Sequence, residues 1–171
     1  MDDRRRRFEA QALPHLDAAY NLARWLSRSP ADAEDIVQEA MLRACRAFDG
    51  FRGDEIKPWL LAIVRNCSRN IGADMRRRAH IPLPNEETAA LVADGADPEE
   101  VAMQASQSRR LNDVIARLPS EFREALILRE IEDMSYREIA EVTRVPVGTV
   151  MSRLARARAM LREKWTAEER V

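Results

Sequence analysis

Apolar residues recur along this chain at steps of three and four rather than two, so the pattern predicts helices throughout and no strand. From about Arg5 to Ser27 the stripe is Phe8, Ala12, Leu16, Ala19, Ala23 and Leu26. Ser29-Pro30 then restarts the chain, with serine at a cap and proline at the first helical position. The second helix runs to about Phe48 and turns Ile36, Val37, Ala40, Ala44 and Ala47 inward. Its outer face begins with Glu34, Asp35 and Glu39 and ends with Arg43 and Arg46, the order that a helix dipole favours. A loop over 49–57 follows, whose two glycines predict sharp turns. The third helix extends from Pro58 to about Arg78, with Trp59, Ile63, Cys67 and Ile71 as its apolar stripe. Arg65, Asn66, Arg69 and Asn70 project from another side of it.

Residues 79–97 break the periodicity with Pro82, Pro84, Gly95 and several acids, and read as a linker. Asp97-Pro98-Glu99-Glu100 is a strong helix start, and Val101, Ala105, Leu111, Ile115 and Leu118 carry that helix to Pro119. A shorter helix from Ser120 to Ile131 packs through Phe122, Leu126 and Ile127. Beyond it, residues 134–158 read as two helices around a tight turn. Ser135 and Glu138 stand at capping-box spacing, and Pro146 disfavours helical geometry at Val145. In the last helix Val147, Val150, Leu154, Ala157 and Leu161 form the inward stripe, which leaves Thr149, Ser152, Arg153 and Arg156 pointing out. Hydroxyls and guanidinium groups on an exposed helix after such a turn fit phosphates and base edges in a major groove.

The expected fold class is therefore all-α, with two small helical domains, residues 1–78 and 98–171, joined by a flexible acidic linker, 79–97. At 171 residues with 46% hydrophobic content the chain can fill such cores. The net charge of −1 conceals net +3 over 1–78, −6 over 79–107 and +2 over 108–171. Neither basic block is strong enough to coat DNA by charge alone, so DNA contacts must be local or assisted by a partner. Cys45 and Cys67 stand apart from each other and from the two histidines, which suggests neither a disulfide framework nor a metal site. No apolar run approaches the roughly 20 residues of a membrane span and no signal-peptide pattern follows Arg4 to Arg7, so the chain is expected in the cytoplasm. Phosphate loops, zinc-hydrolase motifs and nucleophile elbows are all missing, which argues against an enzyme and against any cofactor.

In this arrangement the chain resembles the extracytoplasmic-function group of bacterial sigma factors, within the sigma-70 family, over nearly its full length. Residues 32–40 resemble that family's polymerase-docking helix. Phe51-Arg-Gly-Asp54, Pro58-Trp-Leu60 and Arg65-Asn66 resemble its promoter-melting segment. Leu118-Pro119, Ser135-Tyr136, Ile139-Ala140, residues 145–150 and Ser152-Arg153 resemble its C-terminal DNA-reading domain. The resemblance implies a dissociable promoter-specificity subunit whose partners are core RNA polymerase, promoter DNA and an anti-sigma factor. It assigns Asp35, Gln38 and Glu39 to polymerase binding. Phe51, Arg52, Gly53, Asp54, Trp59, Arg65, Asn66, Arg69 and Asn70 are assigned to the minus-ten element, where a flipped base would be pocketed and the melted strand held. Tyr136, Arg137, Gly148, Thr149, Ser152, Arg153, Arg156 and Arg158 are assigned to the minus-thirty-five element. Met151 stands where that family often has a basic residue, and Ala62 where it often has a polar or basic one, which touches promoter preference. Two other readings are weighed: a sigma-like decoy that sequesters an anti-sigma factor, and a plain repressor.

Overall fold

A computed structural model describes residues 2–78 and 98–169, so the expected linker lies outside the described residues. Eight α-helices make up the described chain: α1 (Asp2–Ala12), α2 (Leu16–Leu26), α3 (Pro30–Ala47), α4 (Ile56–Arg78), α5 (Pro98–Ala116), α6 (Ser120–Leu126), α7 (Tyr136–Thr143) and α8 (Val147–Glu169). The described residues contain no strand, and no helix among them is long and apolar enough to cross a membrane.

The single first helix expected from the spacing is two helices. Pro14, which has no N–H to continue the ladder, sits in a short 3-10 turn at Leu13–His15 that separates α1 from α2. That break turns Leu16 out to solvent, whereas Phe8, Ala12, Ala19 and Ala23 are buried as expected. The cap of α3 forms as predicted: the Asp32 N–H donates to Ser29 Oγ at 3.1 Å. Ala33, Ile36, Val37, Ala40 and Ala44 line its buried face, but Ala47, at the end, is exposed.

Helix α4 starts two residues earlier than expected and is buried on a different arc. Leu60, Leu61, Val64 and Cys67 are its core residues, while Trp59, Ile63 and Ile71 are half-buried. The difference has a physical cause. Helix α4 is packed by α2 and α3 on one side and by α7 on another, so its covered arc is wider than one stripe. Helix α5 departs in the opposite sense, since it rests on α8. Val114, Ile115 and Leu118 are buried there, and Leu111 is exposed. Arg110 lies 4.4 Å over the Trp165 ring, which fastens α5 to the distal end of α8.

Helix α6 runs on into a π-helical turn, Ile127–Ile131, in which the Glu132 N–H reaches Ile127 O at 3.1 Å. The capping box of α7 is complete: Ser135 N–H donates to Glu138 Oε2 at 2.6 Å, and Glu138 N–H donates to Ser135 Oγ at 3.2 Å. Arg144 ends α7 in the left-handed region, with φ 55°, and its N–H closes on Ala140 O. Left-handed backbone at a non-glycine residue is uncommon and makes the turn into α8 sharp.

The N-terminal lobe, α1–α4, and the C-terminal lobe, α5–α8, pack against each other. One apolar cluster includes Leu22, Ile36, Leu61 and Val64 from the first and Leu126, Leu128, Met134 and Ile139 from the second. A separate cluster of Phe8, Ala12, Ala44, Ile56 and Leu60 holds α1 against α3 and α4.

Candidate nucleic-acid and polymerase interface

Four surfaces carry the residues singled out by the sequence, beginning with α3. Asp35 and Gln38 are exposed and Glu39 is half-buried on its outer side, which places all three on one helical face. Glu39 accepts from Arg43 Nε at 2.5 Å, and that carboxylate holds the Arg43 guanidinium above its ordinary pKa. Asp35 has no such partner among the described residues and is the freer acceptor. Leu42, 49% exposed, continues the face one turn on, a feature the charge pattern did not flag.

The second surface is the loop between α3 and α4. Phe51 is the centre of an aromatic row: its ring lies 6.5 Å from Phe48 and 5.0 Å from Trp59, and Phe48 meets Phe8 edge-on at 5.5 Å. Trp59 thus belongs partly to packing and partly to the surface. Gly50 closes a tight 3-10 turn, in which the Phe51 N–H donates to Phe48 O at 3.0 Å, although neither loop glycine takes a left-handed backbone. Gly53 has another reason to be glycine, because a Cβ there would stand 2.8 Å from Phe51 Cε2. Arg52 is held to the loop by donating to Asp49 O at 2.5 Å. Phe51, Arg52, Gly53 and Asp54 border two concavities, of about 390 and 620 Å³, and the far wall of the larger one is Glu138, Glu141 and Arg144 of the other lobe.

Third is the polar side of α4. Asn66 is half-buried, and Arg69 and Asn70 are exposed and open to solvent. Arg65 is not. Its guanidinium is 5% exposed and bonded to the carboxylate of Glu124 on α6, which is also 5% exposed. Arg65 therefore comes free for DNA only if the two lobes part, and in this arrangement its assignment to a DNA surface is corrected to an interlobe contact. The sequence offered no signal for this pairing, since the partner lies 59 positions away.

The same interface holds other charges. Lys57 Nζ donates to Glu132 O at 2.7 Å and stands 3.5 Å from Glu132 Oε2. Arg123 donates to Trp25 O at 3.2 Å and Leu118 O at 3.3 Å, and burial lowers its pKa from the ordinary arginine value. A cavity of about 400 Å³ opens between the lobes, lined on one side by Arg65 and Arg69 and on the other by Glu121, Glu124 and Arg153.

The helix-turn-helix forms the fourth surface. Val150, Leu154 and Ala157 of α8 face the core, and Gly148, Met151, Ser152, Ala155 and Arg156 are exposed. Val147, expected in the core stripe, is 39% exposed, because the stripe begins only where α8 meets α6 and α7. Gly148 lies in a regular helix with open space around the position of an added Cβ. Neither backbone nor packing within the chain requires glycine there, which leaves the start of α8 bare for close approach by a phosphate. Ser152 donates its hydroxyl to Thr149 O at 3.0 Å, so its lone pairs face outward as acceptors.

The arginines of this surface divide by availability. Arg156 and Arg137 are exposed, with no side-chain partner among the described residues. Arg153 is half-buried and stands 3.7 Å from Glu121. Arg158 is bonded twice to Glu130, at 2.7 and 3.2 Å, and these bonds, with Tyr136 alongside, raise its pKa. Tyr136 is half-buried with Arg129 5.1 Å over its ring. Thr149 is half-buried at the edge of the face.

The fold and this surface define a class: a two-lobed, all-helical protein ending in a helix-turn-helix with free cationic groups. Known families agree in order and extent. The Sigma-70 region 2 profile matches residues 13–79, and the Sigma-70, region 4 profile matches residues 108–161. The chain is 36% identical over 154 residues to the ECF RNA polymerase sigma-E factor of Haemophilus influenzae, covering 84% of this chain and 78% of the relative. It is likewise 36% identical over 140 residues to the sigma-E factor of Escherichia coli K12, covering 78% and 73%. Among solved structures, the sigma factor RpoE of Bartonella quintana, crystallised with the anti-sigma factor NepR, is similar with a TM-score of 0.73 at 27% identity, covering 91% of this chain and 94% of that one. CnrH in complex with the cytosolic domain of CnrY gives 0.67 at 27%, covering 95% and 90%. The chain belongs to the extracytoplasmic-function sigma factors of the sigma-70 family.

Proposed function

We propose that this sigma factor divides its work between its lobes. The N-terminal lobe docks on core RNA polymerase through Asp35, Gln38 and Glu39 and melts the minus-ten element with the Phe51–Asp54 loop, Trp59, Asn66, Arg69 and Asn70. The C-terminal lobe reads the duplex minus-thirty-five element with the outer face of α8. Extruding a base costs a few kcal/mol, and polymerase contacts together with pocket contacts offset it. This division needs no catalytic chemistry from the chain itself and places it in the cytoplasm with the polymerase.

The observation that carries the reading is the outer face of α8: bare Gly148, an outward acceptor at Ser152 and an unpartnered Arg156, all within the region 4 match. A decoy for an anti-sigma factor would have no use for that face. An anti-sigma factor is nevertheless a proposed partner, because the similar sigma factor RpoE was solved with one. Engagement of Arg65 with DNA would require the lobes to separate. Transcription by the full chain with core polymerase, with permanganate footprinting on duplex and pre-melted templates, tests the reading. DNA binding without polymerase, or no activity with it, would overturn it.

A further inference from the structure

Two large apolar side chains stand uncovered at the start of α8, Val147 at 39% and Met151 at 53% exposed. They are four residues apart, hence one above the other on the same flank of the helix. The flank is neighboured by Gly148 and Ala155, neither of which projects far enough to shield Met151. Nothing in the lobe's own core uses these groups: the inward positions are Val150, Leu154 and Ala157. Charge says what approaches them. Arg156 of α8 and Arg137 of α7 are exposed with no side-chain partner among the described residues, so a polyanion is drawn to this lobe.

We propose that Met151, supported by Val147, is a specificity-determining residue that reads thymine through its C5 methyl group in the upstream duplex element. The inference rests on α8 being the recognition helix, as proposed above, and adds what its apolar flank selects. In the major groove the thymine methyl is the one apolar mark a base pair presents, and apolar side chains are its natural partners. The thioether of Met151 is long and unbranched enough to follow the groove floor from beside Ser152. The hydroxyl of Ser152 and the guanidinium of Arg156 would read polar edges in adjacent positions, so Met151 fills a gap in that readout.

The test uses the full chain with core polymerase and a duplex selected by that holoenzyme from a library randomised over the upstream element. Each thymine of the selected duplex is then replaced by deoxyuridine, which removes the methyl group alone. The expected result is one or two positions at which the replacement weakens binding about fourfold, the discrimination of one buried methyl group. Met151→Ala should lose that sensitivity while still preferring the remaining element, and Met151→Arg should shift the selected base at that position from thymine to guanine. Met151 is exposed, so neither variant threatens the fold. If no thymine is sensitive, or Met151→Ala is as sensitive as the natural chain, the methyl-reading role is overturned while promoter recognition stands. If the holoenzyme selects no upstream element at all, the recognition-helix assignment fails first, and this inference with it.

Discussion

The Arg65 guanidinium of α4 and the Glu124 carboxylate of α6 form a buried, hydrogen-bonded ion pair across the two lobes. Burial of both partners makes the pair expensive to break by halves. Removing one charge leaves the other buried without its partner, at a cost of about 3–5 kcal/mol, whereas replacing both with well-packed apolar groups is close to neutral. Glu124→Ala is accordingly expected to lower the free energy of urea unfolding by about that amount. Arg65→Met combined with Glu124→Leu should recover most of it. Equal destabilisation by the single and double variants would show that the loss does not come from the charge left unpaired.

The docking face gives a second expectation. Asp35→Lys with Glu39→Lys should abolish co-purification with core polymerase while changing stability by under about 0.5 kcal/mol, since the two residues face outward on α3. Because Glu39 already binds Arg43, Asp35→Lys alone should account for the larger share of the loss. Undiminished co-purification of the double variant would place docking elsewhere.

Gly148 offers a separation of stability from binding. Alanine is the better helix former, and an added Cβ at this position meets open space, so Gly148→Ala should stabilise the chain by about 0.5 kcal/mol. The same methyl group would hold a phosphate away from the start of α8, so promoter binding by the holoenzyme should weaken. Stabilisation without weaker binding would mean that no phosphate approaches there.

Arg156 and Arg158 make a matched pair for measuring availability. Arg156 has no side-chain partner among the described residues, whereas Arg158 must first give up Glu130. Arg156→Ala should therefore cost about 1–3 kcal/mol of upstream-element discrimination if the side chain reaches a base. Arg158→Ala should cost less. Holoenzyme binding over a salt series on single-base promoter variants distinguishes base readout from a phosphate contact, which would instead flatten the salt slope by about one unit.

The thiols should also differ. Burial raises the pKa of Cys67, with the nearby Arg43 charge opposing but not cancelling it. A raised pKa means that less thiolate is present near neutrality, and the side chain is also inaccessible. Half-buried Cys45 is expected to react first with a thiol reagent, and Cys67 at the rate of global unfolding. Fast labelling of Cys67 in the folded chain would contradict its packing.

Much of this molecule is determined by local chemistry that a sequence states directly. Ser29 and Ser135 cap helices because a hydroxyl at those positions reaches an N–H three residues on, and Glu138 completes its box from the same spacing. The turn before α8, the interior placement of Val150, Leu154 and Ala157, and the outward Ser152 and Arg156 follow from a period of 3.6. Periodicity could not say how wide an arc is covered. Leu60 and Leu61 are core because α4 meets neighbours on two sides, whereas Val147 and Leu111, on apolar stripes of their own helices, are left uncovered. Nor could it choose among arginines, which all read as available cations. Arg65 is spent on Glu124, Arg158 on Glu130, and Arg156 on nothing within the described chain, because an ion pair depends on which carboxylate the tertiary fold brings within a few ångströms. That distance is set by how the lobes and helices pack, so only the folded structure could decide it.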